Sequence, residues 1–252
     1  AIYFTDVTHG RGATDVRLVI YCDASLYNVN EKCRSQIGYI ACLLSQKEKY
    51  KRPENEYRDT VTKREKKKKE DYLSVKASPV SWRSFKSPLV SSSSFTSELQ
   101  ALSLGADAAC VFRMLFSEIL WGTPLKKIYT EIRGDNVSVV RSVQSLSNHI
   151  TREKRFQSII STVQQIIEKE EIDNVIWVPT VVNIADGLTK ATSSNALIDL
   201  LVFGDLPVPE EDILTYKQFK THSNKKYLID PNNFLEIRGN KKKKKSKNVI
   251  LD

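Results

Sequence analysis

The sequence predicts an α/β fold, a mixed five-stranded sheet with helices on both faces. Three observations predict it. Short apolar runs, Leu18-Val19-Ile20-Tyr21-Cys22, Ile128 to Ile132 and Val175-Ile176-Trp177-Val178, have the length and composition of buried strands. Longer segments repeat apolar residues at helical spacing. The order reads three strands, helix, strand, helices, strand, helix, which suits a mixed sheet covered on both faces. Parallel pairing of the first, fourth and fifth strands would bring their carboxyl ends together.

Residues 1–15 form a lead-in with Gly10 and Gly12. Strands are predicted over Val16–Asp23 and Gln36–Ser45, joined by a polar turn around Asn28 and Asn30. Residues 45–78 are a charged insertion in the hairpin between the second and third strands, with a low-complexity stretch from Lys47 to Lys76 that includes Lys66-Lys67-Lys68-Lys69. Closure entropy grows only logarithmically with loop length, so such an insertion costs little. Val80-Ser81-Trp82-Arg83 resumes as the third strand. Ser91 to Ser94 supply caps for a helix over Ser97–Trp121, whose apolar face is Leu99, Leu102, Ala106, Cys110, Leu115 and Ile119. Gly122-Thr123-Pro124 ends it.

A strand follows over Lys127–Ile132, then a helix from Asp135 to Leu146. A second helix spans Thr151–Lys169, with Ile159, Ile160, Val163, Ile166 and Ile167 on one face. The strand Val175–Val178 stops at Pro179, and a last helix over Ile184–Leu201 closes a body of residues 16–204. Residues 205–252 read as a basic tail, punctuated by Pro207 and Pro209. Its Tyr216, Phe219, Tyr227, Leu228, Phe234 and Leu235 suit a small docked element. Lys241 to Lys245 suit a solvated run or a nuclear-localisation signal.

The 252 residues suffice for a sizeable core, and 40% hydrophobic with 27% charged residues is ordinary for a globular chain. No stretch reads as the roughly 18 apolar residues that span a membrane, and no signal-peptide pattern opens the chain. The first residue is Ala1, which suits a piece processed from a longer polypeptide. Cys22, Cys33, Cys42 and Cys110 form no CxxC pair; free thiols in a reducing compartment are expected. The net charge of +9 is unevenly placed. Residues 45–78 carry 12 Lys or Arg against 7 Asp or Glu, and residues 217–247 carry 11 against 2, which leaves the remainder at −5. The basic excess therefore sits in two appendages, as phosphate tethers or solvated runs.

Four acids stand at the joints of this plan. Asp23 ends the first apolar run, in VIYCDAS. Glu98 lies early in the long helix, in SSFTSELQAL. Asp135 follows the fourth strand, in RGDNVSV, and Asp186 follows the fifth, in NIADGLTK. Strand ends and helix starts of this kind converge on one spot. Converging carboxylates repel unless a cation sits among them, and Mg2+, with Mn2+ as an alternative, is the natural hard ion. Each acid also has an ordinary reading. Glu98 suits a first-turn acid offsetting the helix dipole, and Asp135 and Asp186 suit helix caps. An Asp closing an apolar strand, as Asp23 does, is unusual.

In these phrases the chain resembles the ribonuclease H domain of LTR-retrotransposon polyproteins, copia-type elements above all. The resemblance lies in an Asp in a strand, a Glu in an (S)xxE helix, an Asp in a DN pair and an Asp in an N-x-AD-x-LTK phrase. Gly38-Tyr39-Ile40 and Val80-Ser81-Trp82-Arg83-Ser84 extend it, and it covers Val16 to Leu201 apart from the insertion. The resemblance implies a ribonuclease H-like fold and a two-metal phosphodiester hydrolase. Asp23 would bridge both ions, Asp186 would complete the site of the water-activating ion, and Glu98 and Asp135 would hold the ion at the departing 3′ oxygen. The implied substrate is the RNA strand of an RNA–DNA hybrid, and the implied products carry 5′ phosphate and 3′ hydroxyl groups. A reverse transcriptase domain of the same polyprotein is the implied partner, inside the cell in a cytoplasmic particle or the nucleus, with no membrane.

Further residues are weighed on the same footing. Asn136 suits a nucleic-acid contact beside Asp135, or a helix start. Arg152, Lys154 and Arg155 match a basic phrase of copia-type domains, as a phosphate grip or a solvated face. Trp82 and Trp177 lie within strand phrases and read as core. The flexible His that some cellular relatives place near the last carboxylate has no counterpart between Val178 and Leu201, which touches turnover rather than reaction type. Two other functions fit the same residues: a catalytically silent or domesticated scaffold of this fold binding nucleic acid or a nucleoprotein partner, and an integrase- or resolvase-like nuclease cutting DNA. An intact four-acid set disfavours the first, since a scaffold gains nothing from mutually repelling acids.

Overall fold

Alternation along the first strand organises the sheet. In the computed structural model, β1 (Val16–Val29) turns Leu18, Ile20 and Cys22 toward one face, where they join a large apolar cluster. It turns Arg17, Val19, Tyr21 and Asp23 toward the other, and all of these residues are buried. The structure describes residues 16–29, 34–45, 72–124, 128–144, 154–190 and 194–209. The remaining elements are β2 (Arg34–Ser45), β3 (Tyr72–Val90), α1 (Ser94–Trp121), β4 (Tyr129–Gly134), α2 (Val137–Gln144), α3 (Lys154–Glu168), β5 (Asn174–Trp177), a 3-10 turn (Thr180–Val182), α4 (Asp186–Thr189), α5 (Asn195–Phe203) and β6 (Asp205–Pro209).

The sheet order is β5-β4-β1-β2-β3-β6. β1, β2 and β3 form antiparallel pairs, whereas β1 with β4 and β4 with β5 are parallel. The carboxyl ends of β4 and β5 therefore lie side by side, level with Cys22 and Asp23 of β1, which does not end at Asp23 as the sequence predicts but runs on to Val29. This is a mixed sheet flanked by helices, and among the described residues it has six strands rather than the expected five. Asp205–Pro209, read from sequence as the start of a tail, pairs antiparallel with Tyr72–Lys76. A buried ion pair of 2.8 Å between Lys76 Nζ and Asp205 Oδ1 holds that pairing. Residues 72–78, assigned to the insertion, thus belong to β3. The lysine-rich stretch before them and residues 210–252, with Lys241 to Lys245, lie outside the described residues.

α1 begins where the serine run predicts. Ser93 is the N-cap, accepting from Thr96 N while Thr96 Oγ1 accepts from Ser93 N, a reciprocal capping box. Gly122, at φ 70°, takes the left-handed cap at the other end. Leu99, Leu102, Ala106 and Ala109 are buried against the sheet with α2 and α3 residues such as Val140, Phe156, Ile160 and Val163. The expected apolar face does not stay buried throughout, because Leu115 and Ile119 are 45% and 65% exposed. The second half of this 28-residue helix, about 42 Å long in all, leaves these side chains uncovered. By length and apolar composition alone α1 also passes as a membrane span, contrary to the sequence reading. The burial of its first half against the sheet is what a core helix requires.

Gly105 sets how closely α1 approaches. A Cβ there would collide with Cys22 Sγ, the neighbour of Asp23. Gly105→Ala gains about 1 kcal/mol of helix propensity but forces the helix off β1, at a typical overpacking cost of about 1–3 kcal/mol. A net loss of stability is expected in urea denaturation, and a net gain would show that the contact relaxes freely.

The last predicted helix is divided into α4 and α5, with 191–193 outside the described residues. Lys190 leaves the helix with extended backbone, and Ser194 restarts it as N-cap, accepting from Leu197 N at 3.4 Å. Ser194 is the residue type that starts a helix rather than continuing one, since its hydroxyl takes a backbone N–H of the first turn.

Candidate metal centre

Asp23 is fully buried on β1, directly opposite Gly38 of β2. The backbone turns of α4 are packed onto this spot: a Cβ on Gly38 would lie 3.4 Å from both Leu188 Cβ and Thr189 Cγ2 and 2.9 Å from Arg83 O. The approach that excludes a side chain is that of Arg83 O on β3; the α4 atoms would stand at ordinary contact distance. Thr189 Oγ1 donates to Asp23 Oδ2, and Ser25 Oγ donates to Thr189 O at 2.8 Å. Asn183, also fully buried, ties the preceding loop to β1 by donating from Nδ2 to Cys22 O at 3.0 Å, and its Oδ1 accepts from Ala185 N. Asp186 is thereby carried to the stretch of β1 that holds Cys22 and Asp23.

Carboxylate oxygens of Asp23, Glu98 and Asp135 lie within 4.8 Å of one another, the one such acidic, His or Cys group among the described residues. Asp186 stands outside this three-way cluster, with its carboxylate paired to Lys190 one turn along α4. The same ammonium is 4.0 Å from Asp23 Oδ1. Three of the four sequence-predicted acids are thus brought together directly, and the fourth is linked to them through Lys190.

The ordinary readings of these acids fail on geometry. Glu98 is the fifth residue of α1, beyond its first turn, which holds no acid. Asp135 is not the cap of α2; Asn136 is, accepting at Oδ1 from Ser138 N and Val139 N at 3.1 and 3.2 Å. Asp135 instead has its backbone O held by Trp177 Nε1 and its Oδ2 by Thr180 Oγ1, each at 2.8 Å. Asp186 opens α4 without making a side-chain cap.

The electrostatics carry the strain of this convergence. Burial first, then Asp23 and Asp135, push the Glu98 carboxyl from 4.5 up to about 9, against the Lys190 charge and a backbone hydrogen bond from Ala24. Burial also pushes Asp23 from 3.8 up to about 7, with the Thr189 hydrogen bond and Lys190 opposing and Asp135 and Asp186 adding to the rise. Asp23 Oδ1 is buried with no hydrogen bond. A buried acceptor without a donor, facing two more carboxylates, fits a hard divalent cation. These residues suit such an ion with oxygen ligands alone.

A pH dependence follows. Both acids hold their protons more tightly folded than unfolded, so the folded state binds more protons between about pH 4 and 9 and loses stability as pH rises through that range. A bound cation reverses the penalty. The Mg2+-induced rise in Tm is therefore expected to be larger at pH 8 than at pH 6, as thermal shift will read; a rise independent of pH would contradict the cluster.

Of the predicted nucleic-acid contacts, Asn136 borders the site and lines a small recess with Glu98, Gly134, Val139 and Val140. Lys154 and Arg155 lie in the first turn of α3, with side chains outside the described residues, as is Arg152 altogether. Sequence reasoning assigned no role to Thr180, Asn183, Thr189 or Lys190, although three of them stand in the NIADGLTK phrase. Trp82 and Trp177, read as core, are 49% and 45% exposed. Trp177 closes the edge strand β5, where one neighbour is missing, so strand periodicity overstates its burial.

No known protein-family profile matches the chain, and no curated protein matches it. Among solved structures it is similar to LC11-RNase H1 in complex with RNA/DNA hybrid, at 15% identity and TM-score 0.41, covering 72% of this chain and 99% of that one. It is similar to RNase H1 from the halophilic archaeon Halobacterium salinarum NRC-1, at 15% identity and TM-score 0.38, covering 73% and 98%. A foamy viral protease-reverse transcriptase in complex with RNA/DNA hybrid matches at 14% identity and TM-score 0.38, covering 66% of this chain and 18% of that one. Overlaps this loose carry no weight here; strand order and the acids do.

Proposed function

We propose that this chain is a metal-dependent endonuclease that hydrolyses the RNA strand of RNA–DNA hybrids, as part of a retroelement reverse-transcription polyprotein. One observation carries the reading: acids from β1, α1 and the end of β4 bring their carboxylate oxygens within 4.8 Å, and none of them caps a helix. The sequence phrases around them, which resemble copia-type ribonuclease H domains, supply the substrate class and the polyprotein setting. On that resemblance a reverse transcriptase domain is the partner, and the place of action is an intracellular particle or the nucleus.

Asp23, Glu98 and Asp135 would hold divalent magnesium or manganese, and Asp186 with Asp23 would hold a second ion. Bound there, the ions supply an activated water and stabilise the leaving 3′ oxygen. The chain's own residues do the rest. Thr189 fixes one oxygen of Asp23 and leaves the other facing the cluster. Thr180 and Trp177 lock Asp135 from both its carboxylate and its backbone. Asn183 and Ser25 clamp the Asp186 segment to β1, which preorganises the acids for the reaction. Lys190 balances the acid charge from the solvent side, at 35% side-chain exposure.

The test is strand- and end-specific. With each strand of a hybrid labelled in turn, only the RNA strand is expected to shorten in Mg2+, leaving 5′ phosphate and 3′ hydroxyl ends. Cleavage of the DNA strand, or of duplex DNA in preference, would replace this reading with the integrase-like one.

A further inference from the structure

We propose that Trp177 is a stacking platform for the substrate at this same site, taking the sugar–base face of a nucleotide next to the scissile phosphate. The inference rests on the nuclease reading and extends it to specificity. Trp177 is the last residue of β5 and is 45% exposed. Its one polar atom, Nε1, is spent on Asp135 O at 2.8 Å, which pins the ring beside the acid cluster and leaves its faces apolar. Val137, two residues after Asp135, is 37% exposed, and Val181, next to the Thr180 that holds Asp135 Oδ2, is 45% exposed. The segments that flank Asp135 and Thr180 thus each expose an apolar side chain, as does the end of β5.

Such a ring is not explained by packing, because a Trp serving the core would be covered. Nor is it explained by capping, because Asn136 caps α2. The occupant follows from continuity. A phosphodiester drawn to the carboxylate-held cation brings its own sugar and base with it, and only these parts of a nucleotide suit an apolar ring. Every base has a π-face, so a fixed indole grips the strand without reading its sequence.

The experiment compares Trp177→Ala and Trp177→Phe. Steady-state cleavage of a labelled hybrid in Mg2+ is expected to show KM raised about tenfold in Trp177→Ala and mostly recovered in Trp177→Phe, whereas any fall in kcat, from loss of the Nε1 bond to Asp135 O, is shared by both variants. Equilibrium binding of a fluorescent hybrid, measured in the non-cleaving Asp23→Asn background, is expected to weaken by the same factor. Mg2+-induced thermal shift, without nucleic acid, is expected to be the same in Trp177→Ala and Trp177→Phe, since both lose the Nε1 bond and only the first loses the ring. Unaltered hybrid affinity in Trp177→Ala would overturn the proposal and leave the apolar rim to a protein partner. A loss confined to kcat and to the Mg2+ shift would also overturn it, making Trp177 a strut for Asp135. Failure of the nuclease reading shows separately, as wild-type protein that cleaves no hybrid.

Discussion

Asp23→Asn is expected to abolish Mg2+-dependent hybrid cleavage while making the metal-free protein more stable. The two effects share one cause. Asp23 is fully buried, one of its oxygens has no hydrogen bond, and its carboxyl is pushed up to about 7, first by burial. A charge held under such conditions at neutral pH opposes folding. Asn keeps an oxygen to accept from Thr189 and offers an N–H toward Glu98 and Asp135. It removes the ligand that would serve both ions, a loss of several kcal/mol of transition-state stabilisation, or on the order of a thousandfold in rate. Thermal melts with and without Mg2+ check the stability side: Tm of the metal-free variant is expected above wild type, and its Mg2+ shift is expected to vanish. A variant less stable than wild type and still shifted by Mg2+ would mean that Asp23 is a structural acid.

Glu131→Ala is expected to cost the most stability of any single substitution away from the site. On the sheet face opposite α1, Glu131 Oε1 accepts from Arg133 Nε at 2.8 Å and pairs with Arg133 Nη2, and Arg17 Nη1 approaches the same oxygen to 3.7 Å. Arg133 also donates from Nη1 to Tyr21 Oη at 2.9 Å. All four residues are buried. Removing the anion that two buried guanidinium groups share leaves uncompensated charge in the core, typically about 3–5 kcal/mol. Burial alone would raise the Glu131 carboxyl, but Arg133 and Arg17 outweigh it and hold it below the usual carboxylate range. Its contribution is therefore present above the unfolded pKa and lost as pH falls through the lower folded value. Urea denaturation reads the loss, and a drop below about 1 kcal/mol would show that the network is nearly neutral.

The acids were legible because each interrupts an otherwise regular pattern: Asp23 ends an apolar run, and Asp135 and Asp186 follow strands. Parallel pairing of β1, β4 and β5 was legible for the same reason, since carboxyl ends meet only that way. Short-range features were not. The new start at α5 turns on a local cap by Ser194, which periodicity averages away. β6 escaped because five residues containing Pro207 and Pro209 read as a linker, and its partner, Tyr72–Lys76, looked like the end of the charged insertion. Burial of Leu115, Ile119 and Trp177 was overestimated because spacing reports an apolar face, not whether anything covers it. Thr189 was in view within a quoted phrase, but its partner Asp23 lies on β1, more than 160 residues away; Lys190 pairs with Asp186 inside the phrase, and only its approach to Asp23 is long-range.

The most direct measurement is the rate of RNA-strand release from a labelled RNA–DNA hybrid as Mg2+ is titrated, with wild-type and Asp23→Asn proteins side by side and duplex DNA and duplex RNA as counter-substrates. Wild type is expected to cleave the hybrid alone, with a rate that rises and saturates with Mg2+, and Asp23→Asn is expected to cleave nothing. Hybrid left intact by folded wild-type protein in both Mg2+ and Mn2+, or cleaved equally by Asp23→Asn, would contradict the assignment of these carboxylates to a hydrolytic metal centre.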